Sequence, residues 1–117
     1  MPSSVLIVDD HAGFRVRARQ LLERHGFAVL GEAVDGAAAL EGVRRLRPDV
    51  VLLDVQLPDA DGIALAADLR LASPGVQVVL VSARDRASYG DRLAAATAFL
   101  CKDELTGASL TALTGPT

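Results

Sequence analysis

Short apolar runs alternate with longer segments of mixed polarity along the whole chain. The apolar runs cover residues 5–8, 27–33, 50–53, 76–81 and 98–101. Each run is too short for a typical helix, and most are rich in Val or Leu, so each predicts a β-strand. The run 50–53 has four consecutive aliphatic residues and no polar face, which is typical of a strand buried on both sides of a sheet.

The segments between these runs carry the spacing of amphipathic helices. In the first segment, one helical face carries Phe14, Ala18, Leu21 and Leu22. Asp35 and Asp61 precede the second and third segments, where a carboxylate can accept hydrogen bonds from the free N–H groups of a helix start. The three predicted helices end at Gly26, before Pro48 and at Ser73.

Two further helices are predicted on weaker patterns. Residues 86–96 have a helical composition, but Gly90 interrupts them and few apolar residues are available to anchor them. Residues 104–114 form the last helix, around Leu105, Leu110 and Leu113. The chain therefore alternates five strands with five helices, joined by short loops.

This alternation predicts an α/β fold in which helices cover both faces of one parallel sheet. Right-handed crossovers leave few ways to connect such a sheet. No internal repeat, linker or composition change divides the sequence, so we expect one domain over residues 1–117 with its core at 4–114.

Composition and charge narrow the possible settings of the protein. The chain has 117 residues and a net charge of −3 with no long run of one sign, which argues against a general nucleic-acid or membrane surface. No stretch approaches the ~20 apolar residues of a membrane span. The single cysteine, Cys101, excludes an internal disulfide. We therefore expect a soluble protein of the reducing cytoplasm.

Polar side chains follow the strands at the points where they end. Asp9 and Asp10 follow the first predicted strand, Asp54 the third, Ser82 the fourth and Lys102 the fifth. The carboxyl ends of parallel strands lie at one edge of a sheet, so these side chains are expected to meet there.

Crowded carboxylates raise one another's pKa unless a cation compensates them. A divalent cation that prefers oxygen ligands, Mg²⁺ or Mn²⁺, and the ammonium group of Lys102 could both do so. Beside these charges, a carboxylate can act as a nucleophile toward phosphorus. Asp54, at the end of the most buried strand, is the candidate.

Together these residues resemble the signature of the receiver domains of two-component response regulators. The signature comprises Asp9-Asp10, Asp54 with Pro58-x-x-Asp61-Gly62, Ser82-Ala83 and Phe99-x-x-Lys102. The resemblance spans residues 4–114 and implies a flavodoxin-like sheet of strand order 2-1-3-4-5. The final segment also resembles the last helix of stand-alone actinobacterial receivers.

The resemblance implies a role for each site residue. Asp54 would accept the phosphoryl group. Asp10, Asp54 and the main-chain carbonyl of Gln56 would bind Mg²⁺, and Asp9 would act through a water molecule. Lys102 would pair with Asp54 and then with its phosphoryl group. Ser82 would be the switch hydroxyl that moves to the phosphate, and Phe99 the aromatic side chain that turns inward after it.

The resemblance also implies partners. The phosphoryl donor would be a histidine kinase or a phosphotransfer protein, and the receiver of the signal a downstream effector or an output domain outside this chain. Such a protein catalyses only its own phosphorylation and dephosphorylation. A homodimer through the last helix and its neighbours is a further expectation, whereas contact with a membrane or nucleic acid is not expected.

Three other functions fit parts of the pattern. A phosphatase of the haloacid dehalogenase type also uses an Asp nucleophile and Mg²⁺, but it needs an acid two residues later, where Gln56 stands. A flavin carrier would bind phosphate in its first loop, which Asp9 and Asp10 would repel. A phosphorylation-independent binding module would have no need for the full acidic set. His11, next to these acids, is interpreted as a solvated loop residue that could tune them.

Overall fold

The computed structural model describes residues 3–94 and 97–115, which form one five-stranded parallel sheet with helices on both faces. The strands are β1 (Ser4–Val8), β2 (Ala28–Ala33), β3 (Val50–Asp54), β4 (Gln77–Ser82) and β5 (Phe99–Cys101). Their order in the sheet is β2-β1-β3-β4-β5. The predicted fold class and the strand order implied by the resemblance are both confirmed.

Among the residues that the structure describes, four α-helices and two 3₁₀ elements connect and follow the strands. The helices are α1 (Ala12–Arg24), α2 (Gly36–Leu46), α3 (Gly62–Ala72) and α4 (Gly107–Thr114), and the 3₁₀ segment is Arg86–Arg92. Asp35 and Asp61 cap α2 and α3 as predicted, by accepting hydrogen bonds from the main-chain N–H groups of Ala38 and Ile63. A short 3₁₀ turn, Lys102–Glu104, follows β5.

The prediction of one helix over residues 86–96 is wrong. This stretch forms the 3₁₀ segment instead, and Gly90 breaks it with φ 53° and ψ −131°. Its apolar anchors are stronger than the sequence indicated, because Tyr89 and Leu93 are both buried. Residues 95 and 96 lie outside the described residues.

The start of the last helix also differs from the prediction. α4 begins at Gly107 rather than at residue 104. The hydroxyl group of Thr106 accepts a hydrogen bond from the main-chain N–H of Ser109, and the hydroxyl group of Ser109 accepts one from the N–H of Thr106. This reciprocal capping sets the first turn of α4. Leu105 is buried, but it lies before the helix.

The core consists of two apolar clusters, one on each face of the sheet. Successive residues of a strand point to opposite faces, so Leu6 and Val8 of β1 join one cluster and Val5 and Ile7 join the other. Helices α2 and α3 cover the first cluster, and α1 and α4 cover the second. In the described parts of the chain, no helix has the length and apolar character to cross a bilayer.

The loop between β3 and α3 is tied to its surroundings on both sides. The carboxylate of Asp59 accepts hydrogen bonds from the main-chain N–H groups of Gly36, at 2.7 Å, and Ala37, at 3.2 Å, which begin α2. These amide groups, that of Gly36 foremost, hold the pKa of Asp59 below its usual value. At the end of the loop, the N–H of Gly62 donates to the carbonyl of Val55 at 2.7 Å.

Gly62 is packed too closely against the end of β3 to carry a side chain. A Cβ atom there would lie 2.8 Å from the Cα of Val55 and would also meet the carbonyl group of Asp54. We expect Gly62→Ala to lower the free energy of unfolding by about 2 kcal/mol or more, because backbone atoms cannot yield as a flexible side chain can. Urea denaturation measures the loss.

Gly13→Ala is the matched control for this substitution. Gly13 lies in the first turn of α1, and a Cβ atom there would have no heavy atom within 4 Å. We expect a change of no more than about 0.5 kcal/mol, or a slight stabilisation from the lower entropy of the unfolded chain. Equal losses in the two variants would contradict a steric cause at Gly62.

Candidate functional site

Three carboxylates meet at the carboxyl edge of the sheet. Asp54 ends β3, and β1 pairs with β3 so that Val8 lies opposite Leu53, which brings Asp9 beside Asp54. Ligand atoms of Asp9, Asp10, Asp54 and His11 all lie within 4.8 Å of one another. Asp9 and Asp54 are buried, whereas the side chain of Asp10 is 37% exposed. The cluster is therefore closed at its base and open toward solvent at Asp10.

Lys102 reaches this cluster from the end of β5. Its Nζ lies 2.7 Å from Oδ2 of Asp9 and 3.5 Å from Oδ2 of Asp54. The sequence interpretation paired Lys102 with Asp54. The structure differs from it, because Nζ lies closer to Asp9 than to Asp54. Asp9 is fully buried, and no described residue donates a well-aligned hydrogen bond to its Oδ2. The ammonium group therefore lies nearest to Oδ2 of Asp9, the carboxylate oxygen whose negative charge other groups compensate least.

The aromatic ring of Phe14 lies against the ammonium group of Lys102. Nζ lies 4.7 Å from the ring centroid, where the electron-rich face of the ring attracts a cation. Phe14 is buried between α1 and the sheet, as its helical spacing predicted. Its position beneath the ammonium group could not be read from that spacing.

Burial and the neighbouring acid Asp9 raise the pKa of Asp54. Burial is the larger cause and repulsion by Asp9 the second, and together they move the pKa from 3.8 to about 6. The N–H of Gln56, which donates to Oδ1 of Asp54 at 3.2 Å, and the ammonium group of Lys102 oppose this shift. Their opposition is only partial, so the carboxyl group of Asp54 is protonated more readily than that of an ordinary aspartate.

The donor set of the cluster fits a divalent cation that prefers oxygen. Three carboxylates face one ammonium group, and Oδ2 of Asp9 is buried without an aligned hydrogen bond from the described residues. Carboxylate oxygens beside an opening to solvent suit Mg²⁺, which keeps several of its waters when it binds. The side chain of Gln56 is exposed, and the role predicted for its main-chain carbonyl stays a prediction.

His11 lies closer to the acids than a freely solvated residue would. Its Nδ1 is 3.1 Å from Oδ1 of Asp9 and 3.1 Å from Oδ1 of Asp10, although the side chain is 68% exposed. The main-chain N–H of His11 also donates to Oδ1 of Asp9 at 2.8 Å. His11 is thus both exposed and in contact with the acidic cluster.

The hydroxyl group predicted to act as a switch is engaged by a residue that the sequence interpretation missed. Oγ of Ser82 is hydrogen-bonded to the hydroxyl group of Tyr89, and it accepts the main-chain N–H of Arg84 at 3.0 Å. Tyr89 is buried and meets Phe99 edge-on, with ring centroids 5.9 Å apart. The four-residue spacing of Tyr89 and Leu93 was the only signal of this inward face.

Phe99 is only partly buried. It packs against the cluster that contains Tyr89, and the guanidinium group of Arg86 lies 5.7 Å from the centroid of its ring. Tyr89 is therefore the aromatic residue that the structure places in hydrogen-bond contact with Ser82. Cys101, at the end of β5, is also only partly buried.

A groove of about 370 Å³ lies between the loop after β3 and the 3₁₀ segment. Gln56 and Asp61 line it on the loop side, and Tyr89 and Arg92 line it on the side of the segment. An ion pair between Asp61 and Arg92 joins the two sides. Both side chains of this pair are more than 40% exposed, so it adds little to stability.

The chain belongs to the response regulator receiver family. The family model described as "Response regulator receiver domain" matches residues 5–107. The chain is a receiver domain, which is the phosphoacceptor signalling domain of two-component systems, as the resemblance indicated.

Curated relatives agree with this assignment. A transcriptional regulator of Pseudomonas aeruginosa is 38% identical over 104 residues, which are 87% of this chain and 50% of the relative. The transcriptional regulatory protein TcrX of Mycobacterium tuberculosis is 40% identical over 83% of this chain and 40% of its own length. The chemotaxis protein CheY of Thermotoga maritima is 34% identical over 71% of this chain and 69% of its own length. The chain thus spans about half or less of the two transcriptional regulators.

Solved structures of receiver domains are also similar to this chain. The signal receiver domain of the response regulator NarL from Mycobacterium tuberculosis has a TM-score of 0.83 and 36% identity, and the match covers 98% of both chains. The receiver domain of AraT from Geobacillus stearothermophilus has a TM-score of 0.77 and 28% identity, over 97% of this chain and 91% of that one.

The raised pKa of Asp54 predicts a stability change that depends on pH. The folded protein holds the Asp54 proton more tightly than the unfolded chain, so this contribution is present below about pH 4 and is lost as the pH rises through about 6. Asp54→Asn removes the ionisation. In the presence of a chelator, we expect this substitution to stabilise the protein by about 1–3 kcal/mol at pH 8 and by almost nothing at pH 4.

Urea denaturation at the two pH values measures this difference. Asp68→Asn is the control, because Asp68 is exposed on α3 and its substitution should change stability little at either pH. An Asp54→Asn variant that is less stable than the parent at pH 8, or equally changed at both pH values, would refute the electrostatic origin of the effect.

Proposed function

We propose that Asp54 is the residue that accepts the phosphoryl group. The observation that carries this proposal is the convergence of Asp9, Asp10 and Asp54 with the ammonium group of Lys102 at one edge of the sheet. Of these three carboxylates, Asp54 is the one at the end of the central strand β3, and the N–H of Gln56 orients its Oδ1. Phosphoryl transfer depends mainly on positioning and on neutralised charge, which this arrangement provides.

Asp10, Asp54 and the main-chain carbonyl of Gln56 are the proposed Mg²⁺ ligands, with Asp9 acting through water, and Mn²⁺ is an alternative ion. The metal would neutralise charge on the phosphoryl oxygens during transfer. Asp10 is the most exposed of the three acids and lies at the opening of the cluster. Asp9 lies at its base, where it holds Lys102 beside Asp54.

Lys102 and Ser82 are the proposed phosphate-binding side chains. A phosphoryl group adds nearly two negative charges and three acceptor oxygens to Asp54. The ammonium group of Lys102, now 3.5 Å from Oδ2 of Asp54, is close enough to follow this new charge. Ser82 ends β4, next to β3, and would turn its hydroxyl group toward the phosphoryl oxygens. Movement of Phe99 would then follow that of Ser82.

The proposed partners follow from the family. A histidine kinase or a phosphotransfer protein would supply the phosphoryl group, and Asp54 would be its acceptor in a single receiver domain over residues 1–117. Relatives that are about twice as long are transcriptional regulators, which supports an output domain or a separate effector as the target. The chain would catalyse only its own phosphorylation and dephosphorylation, in the cytoplasm, and a homodimer is compatible with this function.

Incubation with Mg²⁺ and acetyl phosphate tests the acceptor assignment. Mass spectrometry should detect one labile phosphoryl group on the protein, and Asp54→Asn should abolish it, because the amide lacks the nucleophilic oxygen. Asp103→Asn, which changes an exposed carboxylate next to Lys102, should be labelled as the parent is. Labelling that persists in Asp54→Asn would disprove the assignment.

Replacement of Lys102 separates metal binding from the response to phosphate. We expect Lys102→Ala to bind Mg²⁺ at least as well as the parent, because a positive charge has left the cluster. The amide resonances of Ser82 and Arg84 should shift less than half as far with beryllofluoride, a phosphoryl mimic. NMR titration measures both effects, and a full response in Lys102→Ala would contradict the proposed role.

A further inference from the structure

The hydroxyl group of Ser82 already has partners before any phosphoryl group is present. Oγ accepts the N–H of Arg84 at 3.0 Å and shares a hydrogen bond with the hydroxyl group of Tyr89. Both side chains are buried, with exposed fractions of 4% for Ser82 and 8% for Tyr89. Water is therefore poorly placed to replace either partner.

A serine hydroxyl group has one proton and two lone pairs. The N–H of Arg84 occupies one lone pair, so Ser82 and Tyr89 share what remains. When Ser82 turns its proton toward a phosphoryl group on Asp54, it can no longer donate to Tyr89. A rotation of the Ser82 side chain toward Asp54 would also carry Oγ away from the hydroxyl group of Tyr89, so that Oγ could no longer accept from it. The phosphoryl group and Tyr89 thus compete for one hydroxyl group.

We propose that Tyr89 is a positioning residue for the switch: its hydroxyl group holds Ser82 until Asp54 is phosphorylated, and release of that bond moves the 3₁₀ segment. The proposal rests on the assignment of Asp54 and Ser82 given above. It adds Tyr89 to the switch as a second residue. The first step between the phosphoryl group and the protein surface is then the loss of a hydrogen bond, and not only the turning of an aromatic ring.

Tyr89 is better placed for this role than Phe99. Tyr89 contacts Ser82 directly, whereas the structure records Phe99 against the ring of Tyr89, edge-on at 5.9 Å between centroids. Phe99 has no hydroxyl group with which to sense the position of Ser82. Any displacement of Tyr89 would nevertheless reach Phe99 through this contact, so the two aromatic residues would move in sequence.

The 3₁₀ segment can respond at small cost. It has seven residues, it is broken at Gly90, and Tyr89 is its only buried residue. The ion pair of Arg92 with Asp61 is exposed and weak. A buried tyrosine hydroxyl group that loses its partner must find another or reach solvent, because an unsatisfied buried group is costly. Either outcome displaces Tyr89 and the segment that carries it.

Tyr89→Phe tests the proposal, because it removes the hydroxyl group and keeps the ring. Beryllofluoride is titrated in the presence of saturating Mg²⁺, and binding is followed by the amide resonances around Asp54. We expect the variant to bind about threefold to tenfold more tightly than the parent, since the competing hydrogen bond has gone. An unchanged affinity would overturn the proposal and leave Tyr89 as a core residue only.

Two further variants distinguish the loss of this one hydrogen bond from a general loosening of the segment. In a Ser82→Ala background, Tyr89→Phe should no longer change the affinity, because the competing bond is already absent. Ser88→Ala removes a hydroxyl group of the same segment that bonds Asp85 and not Ser82, and it should leave the affinity within about twofold of the parent. Tighter binding in Ser88→Ala equal to that in Tyr89→Phe would overturn the proposal in favour of general loosening.

The single tyrosine also gives a direct readout. The sequence has one Tyr and no Trp, so the intrinsic fluorescence reports on Tyr89 alone. Beryllofluoride should change this fluorescence in the parent and not in Ser82→Ala; a full change in Ser82→Ala would overturn the proposal. A parent that forms no adduct with beryllofluoride would refute the assignment of Asp54 itself. Adduct formation without any change at Tyr89 would refute only the role of Tyr89.

Discussion

Burial of two carboxylates at the same edge of the sheet is the constraint on which the rest of the site depends. Asp9 and Asp54 follow strands that are apolar on both faces, so they are removed from water by the same packing that stabilises the domain. Burial and mutual repulsion both favour the protonated form of Asp54. The domain is thus folded around a local excess of negative charge, which is the basis of the cation binding proposed for this cluster.

The position of Lys102 between two carboxylates connects this excess negative charge with the proposed function. Its ammonium group lies between two buried carboxylates and is nearer to Asp9. A new charge on Asp54 would change the balance between them without any large movement of the chain. The hydrogen bonds of Ser82 follow the same pattern, because its hydroxyl group can donate its one proton either to Tyr89 or to a phosphoryl group. One cation and one hydroxyl group would each face two competing partners, which is the physical basis of the proposed two-state response.

The fold and the membership of the site could be predicted because both follow from local patterns. An apolar strand followed at once by Asp54 fixes which edge of the sheet that carboxylate occupies, and the same holds for Asp9 and Lys102. The sequence could not show which carboxylate Lys102 lies nearer, because that depends on small differences in distance between neighbouring strands. It also could not show the bond from Tyr89 to Ser82, which joins two elements through a loop whose 3₁₀ geometry has no helical period to detect.

The hydrogen bonds of Asp59 make the surroundings of Asp54 more rigid on one side than on the other. On one side, the loop after β3 is fastened to the first turn of α2, and Gly62 is wedged against the backbone of Val55. On the other side, the 3₁₀ segment is broken at Gly90, and Tyr89 is the one buried residue among its seven. The surroundings of Asp54 are therefore held more firmly toward α2 than toward the 3₁₀ segment. The proposed switch would therefore transmit a change at Asp54 through the 3₁₀ segment rather than through α2.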